Sequence, residues 1–452
     1  MSRILITGGA VVTMEPGLAD LPRGDLLVED GIIRALAPRL DGAAAGAEVI
    51  DAAGCIVLPG FVNAHIHTWQ TALRGIAGDW TILEYLRAMH AGIAPSFTPD
   101  DIHVSTLVGA LNQLDGGTTT IVDWCHNNPT PEHSDAAVEA LLEAGIRAVF
   151  LHGSPKPDPK PGQKHFSEVP HPRGELERLA GGRLAGRAGQ VTLGMAILGP
   201  AYSTYEVSRA DVALARELGL LCSMHCGGGP MLTPDGFTRL LAEGLVGPGL
   251  NIVHGNNLAD AELAPLLERG ASLTSTPECE LQMGFGDPLI GRLRALGAPP
   301  SLGSDVESAM GGDMFTNMRI ALQYQRARDN EAVLRRTGRA PERISIPCRE
   351  ALEWATLGGA RMAGLDRRIG SLAPGKAADI LLLRADALNL LPAADPVQAA
   401  VFHAGLANVD TVLVAGRPVK RAGRLLHDGL PRRYEKLAAA RRRILAAAGR
   451  LH

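Results

Sequence analysis

Between residues 60 and 305 the chain alternates between two hydrophobic rhythms. Eight short apolar runs, 60–65 (GFVNAH), 118–124 (TTTIVDW), 146–153 (IRAVFLHG), 190–198 (QVTLGMAIL), 219–225 (GLLCSMH), 250–255 (LNIVHG), 271–276 (ASLTST) and 300–305 (PSLGSD), have the length and side-chain type of buried strands. Several of the intervals between them, such as 207–219 (VSRADVALARELG) and 258–270 (LADAELAPLLERG), repeat their apolar positions at helical spacing. Eight strand–helix units predict an α/β fold of the (β/α)8 TIM-barrel type, with a doubly wound open sheet as the alternative. Short strand-like runs with glycine turns occupy residues 3–60 and return only in 376–385 and 409–426. They predict a small β-sandwich module assembled from both chain ends, 1–58 and 372–430, with the barrel at 59–371. The segment 349–365 reads as a helix, and 431–452 as a basic C-terminal helix whose charges form a solvated face or a subunit contact.

Charge narrows the choice of partner. Lys and Arg number 44 against 48 Asp and Glu, a net charge of -4, which gives no electrostatic footing for nucleic acid or an anionic membrane. A small neutral or polar ligand is the expectation. The first residues lack the pattern of a signal peptide, and no window approaches 18 uninterrupted apolar residues, so a cytoplasmic protein is expected. Cys55, Cys125, Cys222, Cys226, Cys279 and Cys348 form no C-x-x-C pair and read as buried thiols in a reducing compartment.

In a barrel, the carboxyl ends of all strands converge on one mouth. The first run ends in His65 and His67, which project to the same side of an extended chain; the fifth ends in His225, the sixth in His254 and the eighth in Asp305. One histidine on an apolar strand is ordinarily a satisfied core residue. Four histidines and an aspartate at separate strand ends are a donor set suited to Zn²⁺ and related divalent ions.

These residues carry a resemblance. The stretch PGFVNAHIHTWQTALRG (59–75), the single histidines at strands five and six, LGSD (302–305) and GSLAPGKAADILLL (370–383) resemble the amidohydrolase superfamily over nearly the whole chain. Within it they resemble the branch of cytosine and guanine deaminases, S-adenosylhomocysteine deaminases and triazine hydrolases. The resemblance implies one divalent metal, zinc or iron, held by His65, His67, His225 and Asp305. It implies that His254 stands beside the metal-activated water and handles protons together with Asp305. The implied reaction is hydrolysis at a carbon bonded to nitrogen, with deamination of an amino-substituted heterocycle as its leading form, and homodimerisation is a family-level expectation.

One departure stands out. Deaminases of this branch carry an H-x-x-E pattern at strand five, whose glutamate donates a proton; here the same span is His225, Cys226, Gly227, Gly228. Three readings follow. Glu278 or Glu280 in the loop after strand seven, or less directly Glu307, takes over the acid role. Alternatively an activated C–N or carbon–halogen bond needs little acid, and Gly228 clears space for substrate. The third is a metal-binding relative without activity. On the substrate side, Trp69, Gln70 and His126 are expected to line the mouth, and Trp80 to lie in a helical lid. The proline-rich stretch after strand three reads as a long mobile loop or lid.

Overall fold

A computed structural model describes residues 2–186 and 188–450. Two compact units emerge: residues 1–63, 112–120 and 313–427 form one, and 64–111, 121–312 and 428–452 the other.

The first unit carries a nine-stranded mixed sheet drawn from both ends of the chain. Strand Cys55–Pro59 sits at its junction, parallel to Arg3–Val11 and antiparallel to Ile380–Arg384. Ile4, Ile6, Val28, Val57, Ile380 and Leu413 pack into one buried cluster, so the sequence-distant ends share a core. The same unit holds the 24-residue helix Met314–Thr337, started by the Asp313 side chain accepting from Thr316 N at 2.8 Å.

The second unit carries the greater part of an eight-stranded parallel sheet. Its strands are β1 (Phe61–Ile66), β2 (Thr118–Cys125), β3 (Arg147–Gly153), β4 (Val191–Ile197), β5 (Leu221–Cys226), β6 (Leu250–His254), β7 (Ser272–Ser275) and β8 (Ser301–Leu302). Their order in the sheet is their order in the chain, and a parallel bridge between Ile66 and Asp305 joins the first strand to the last, closing a (β/α)8 barrel. β1, β2 and β3 are buried at every position, which is why they read as continuous apolar runs and not as alternations. The helical patterns noted after β4 and β6 are helices Tyr205–Glu217 and Asp260–Glu268.

The C-terminal helix, Leu430–Ala447, is neither wholly solvated nor idle. Arg443 binds Asp101, Arg433 binds Glu143, and Arg441 Nη1 donates to the Arg74 carbonyl at 2.7 Å. Three of its basic side chains are thus engaged within its own unit. No helix among the described residues is long and apolar enough to cross a membrane.

Candidate active site

The closing bridge of the barrel builds the site. Asp305 N donates to the His65 carbonyl at 3.0 Å and His67 N to the Asp305 carbonyl at 2.9 Å, so the two histidines of β1 and the aspartate after β8 are locked in register. On the opposite arc, β5 pairs with β6 so that Cys226 lies across from His254. Asp305 and His254 both take left-handed backbone conformations, at φ 62° and 68°. Non-glycine residues pay for that geometry in strain, and both sit where the chain turns off a strand to aim a side chain inward.

Ring nitrogens and carboxylate converge. Asp305 Oδ1 lies 3.3 Å from His65 Nε2 and 3.3 Å from His67 Nε2, and His225 Nε2 is 3.2 Å from His65 Nε2. One donor atom from each of these four residues falls within 4.8 Å of the others. The His67 Nδ1–H donates to the Trp124 carbonyl at 2.7 Å, which leaves Nε2 with a bare lone pair facing the carboxylate. Burial drives His65 down to about 3 and His225 well below the usual imidazole range, so these rings are neutral. The bare His67 lone pair against the Asp305 oxygen is repulsive unless a cation sits between them, and three ring nitrogens with one carboxylate are a fitting donor set for a divalent metal.

Glu280 is wholly buried on helix Pro277–Met283, and its carboxylate points behind His254. It accepts from Ser275 Oγ at 2.7 Å and Thr276 N at 2.8 Å and lies 3.4 Å from His254 Nδ1. The other nitrogen of His254, Nε2, faces Asp305 Oδ2 at 3.8 Å. A Glu280–His254–Asp305 line therefore runs from the barrel wall to the donor cluster. Glu278, two residues earlier on the same helix, is half-buried, and its side chain does not line the cleft. Glu307 is occupied by Arg74 Nη2 at 2.6 Å and Thr71 Oγ1 at 3.0 Å.

A cleft opens over the donors, bounded by His67, Ile82, Tyr85, Lys156, Tyr202 and Phe285 among others. Trp69 and Gln70, expected at the mouth, stand behind it instead. Thr68 N and Oγ1 both donate to Asp123, which pulls the chain after β1 into a tight turn and carries the next two side chains under the rim. Trp69 Nε1 then donates to His126 Nδ1 at 3.1 Å, and Gln70 is held by Tyr85 Oη at 2.5 Å and Ser308 Oγ at 2.8 Å. His126 itself lines the cleft, stacked on His67 with ring centroids 4.6 Å apart. Trp80 is outside it, its ring facing Arg450 at 5.9 Å.

Gly228 does not open space for a ligand. It takes φ 77°, and a Cβ there would meet Ile82 Cγ1 at 2.8 Å. Ile82 begins the short helix Ile82–Tyr85, fixed by a capping box in which Thr81 and Glu84 exchange hydrogen bonds. The space a side chain at position 228 would need is filled by the isoleucine. Sequence reasoning did not single out Tyr85, His90, Lys156 or Tyr202, all of which line the cleft. None lies at the end of a predicted strand run; for Lys156 the available signal was only its place in the long loop after β3.

Comparison with known proteins agrees with this geometry. The model of the Amidohydrolase family matches residues 56–419. The chain is 30% identical to the 5-methylthioadenosine/S-adenosylhomocysteine deaminase of Desulforudis audaxviator, over 89% of this chain and 90% of the relative. It is 29% identical to the 5′-deoxyadenosine deaminase of Methanothermobacter thermautotrophicus, over 93% and 94%. Among solved structures it superposes on an adenosine deaminase of Xanthomonas campestris with bound zinc at TM-score 0.81, with 24% identity, covering 98% of this chain and 99% of the other. It superposes on the atrazine chlorohydrolase of Arthrobacter aurescens complexed with zinc at TM-score 0.84, with 22% identity, covering 97% and 100%.

Proposed function

The chain belongs to the amidohydrolase family, and on that footing we propose that it is a zinc-dependent hydrolase that deaminates a purine nucleoside or a related amino-substituted heterocycle. The observation that carries this reading is the meeting of His65, His67, His225 and Asp305 with the Glu280–His254 pair in one cleft. The relatives named for 5′-deoxyadenosine and S-adenosylhomocysteine support the substrate class. The working unit in this reading is the segment 59–371, which contains every residue named here.

His65, His67, His225 and Asp305 would hold the metal, which when bound supplies Lewis acidity to water and substrate. The protein's own groups divide the rest. His67 is fixed in orientation by the Trp124 carbonyl and by stacking on His126. Asp305 Oδ2 is placed to accept a proton from the attacking water and pass it on. His254 Nε2, beside it, orients the same water or the reacting carbon substituent. Glu280 acts through His254: accepting from Nδ1, it selects the tautomer whose Nε2 is turned to the cleft, so it is a positioning residue. The Phe285 ring packs on His254 at 4.3 Å and, with Ile82, keeps the proton-handling groups from bulk water.

The filled space at Gly228 favours a second reading, hydrolysis of an activated C–N or carbon–halogen bond that departs without strong acid assistance. One experiment separates them. The zinc-loaded protein is assayed for ammonia from 5′-deoxyadenosine, S-adenosylhomocysteine and adenosine, and for chloride from a chlorotriazine. Ammonia release from the nucleosides supports deamination; chloride release with no ammonia supports the second reading and rejects the first.

A further inference from the structure

We propose that Lys156 is the proton donor of this cleft, doing from the β3 loop what a glutamate at position 228 cannot do here; the inference rests on the deaminase reading above. Three observations carry it. Lys156 lines the cleft, with Nζ 5.1 Å from the centre of the Tyr202 ring, and the Tyr202 hydroxyl donates to the Gly227 carbonyl at 2.8 Å. The ammonium is thus tied, through one side chain, to the loop that carries the gap. It makes no ion pair with a carboxylate among the described residues. Finally, the carboxylates nearest the donors are engaged, Glu280 by Ser275, Thr276 and His254, Glu307 by Arg74 and Thr71, and Asp305 in the donor cluster, while Asp123, held by Thr68 through Oδ1 alone, and Asp211, which accepts from His171 N, do not line this cleft.

The groups that share the cleft leave little competition. From residues 86–93, from the end of β2 and from β5, the wall presents His90, His126 and His225, all pushed well below the usual range by burial and therefore neutral. Tyr85, Tyr202 and Cys279 are pushed up by burial and keep their protons. Lys156 is lowered by burial to about 8, where an ammonium is still mostly protonated at neutral pH yet releases its proton readily.

The step balances without another reactant. As the water oxygen bonds to the amino-bearing carbon, one water proton passes to Asp305 and the Lys156 ammonium gives a proton to the adjacent ring nitrogen. Asp305 then protonates the amino group, the C–N bond breaks with its electron pair leaving on ammonia, and the new hydroxyl returns its proton to the Lys156 amine as the carbonyl forms.

The test uses zinc-loaded wild-type, Lys156→Met and Lys156→Arg proteins with 5′-deoxyadenosine and its 6-chloro analogue. Lys156→Met should lower kcat on the amino substrate by about 100-fold or more with KM little changed. The loss should be smaller on the chloro analogue, whose leaving group needs no proton. Lys156→Arg keeps the charge but holds its proton too tightly, and should be as slow as Lys156→Met. Recovery by Lys156→Arg, or a rise in KM with kcat intact, would overturn the proposal in favour of a binding charge. Ammonia release unchanged in Lys156→Met overturns this inference alone; its absence from the wild type overturns the deaminase reading and this inference with it. Should the variants fail to fold, competitive acetylation of the wild-type zinc protein across pH, read on the Lys156 peptide, decides the matter. Half-reaction near pH 8 supports a poised donor, and half-reaction near the ordinary lysine value of about 10.4 overturns it.

Discussion

Placing any side chain at position 228 should reveal what Ile82 does there. Gly228 lies at φ 77°, so Gly228→Ala carries left-handed strain of about 1–2 kcal/mol. The new Cβ also meets Ile82 Cγ1 at 2.8 Å, a branched atom near the backbone that has no free rotamer end to swing away. Overpacking of that kind costs about 1–3 kcal/mol, and the two together predict a loss of about 2–5 kcal/mol. Ile82→Ala alone removes a side chain that is 8% exposed and should cost about 2–4 kcal/mol. In the Ile82→Ala background only the backbone strain should persist, so Gly228→Ala should then cost about 1–2 kcal/mol, a coupling of about 1–3 kcal/mol. Urea unfolding followed by circular dichroism on the wild type, both single variants and the double variant measures the cycle. Additivity within about 0.5 kcal/mol would refute the claim that isoleucine fills the acid's place. It follows that Gly228→Glu by itself should not act as an added acid, because the same contact blocks its entry to the cleft.

Three further outcomes are expected. Stripping the metal with a chelator and returning zinc at about 100 times its Kd should stabilise the protein by about 2.7 kcal/mol in calorimetry. His225→Ala should erase most of that gain, and less than half an equivalent of bound metal in the wild type would count against the centre. Glu280→Gln should lower kcat about 10–100-fold with KM unchanged, since it loosens the orientation of His254 without touching substrate; an equal loss in KM would point to a role in binding instead. Burial pushes Asp211 up to about 7 against an ordinary value of 3.8. The folded state therefore holds a proton that the unfolded chain releases, and stability falls as pH rises from about 4 to 7. Asp211→Asn, with its amide oxygen still able to accept from His171 N, should be more stable than wild type at pH 8 by up to about 4 kcal/mol. That advantage should vanish near pH 4 in denaturant titrations, and a constant difference across pH would reject the assignment.

The convergence of His65, His67, His225 and Asp305 was legible because it depends on topology and not on side-chain detail. Once eight apolar runs are read as parallel strands of one barrel, their carboxyl ends share a rim, and any donor at a strand end points there. Residues further along the turn that follows a strand need not keep that direction. Trp69 and Gln70 follow His67 directly, yet the pull of Asp123 on Thr68 turns them beneath the rim, and that hydrogen bond joins segments no local pattern connects.

Helical spacing also separates the two glutamates that were grouped by sequence. Positions 278 and 280 lie about 200° apart around helix Pro277–Met283, so a helix that buries Glu280 against His254 must turn Glu278 away. A run of loop residues would have allowed both to face the substrate; a helix allows one, and it chooses the one that Ser275 and Thr276 can satisfy. The glycine run after β5 was legible as a gap but not as a filled one, because its occupant, Ile82, arrives from a capped turn far earlier in the chain. Lys156 was less visible still. Its loop has no hydrophobic period to place it, and only the three-dimensional wall of His90, His126, His225 and Tyr202 shows that a single ammonium stands among groups that have no proton to give or keep it too tightly. The acid absent from position 228 is therefore best sought where the cleft wall itself carries an unpaired charge, at Lys156.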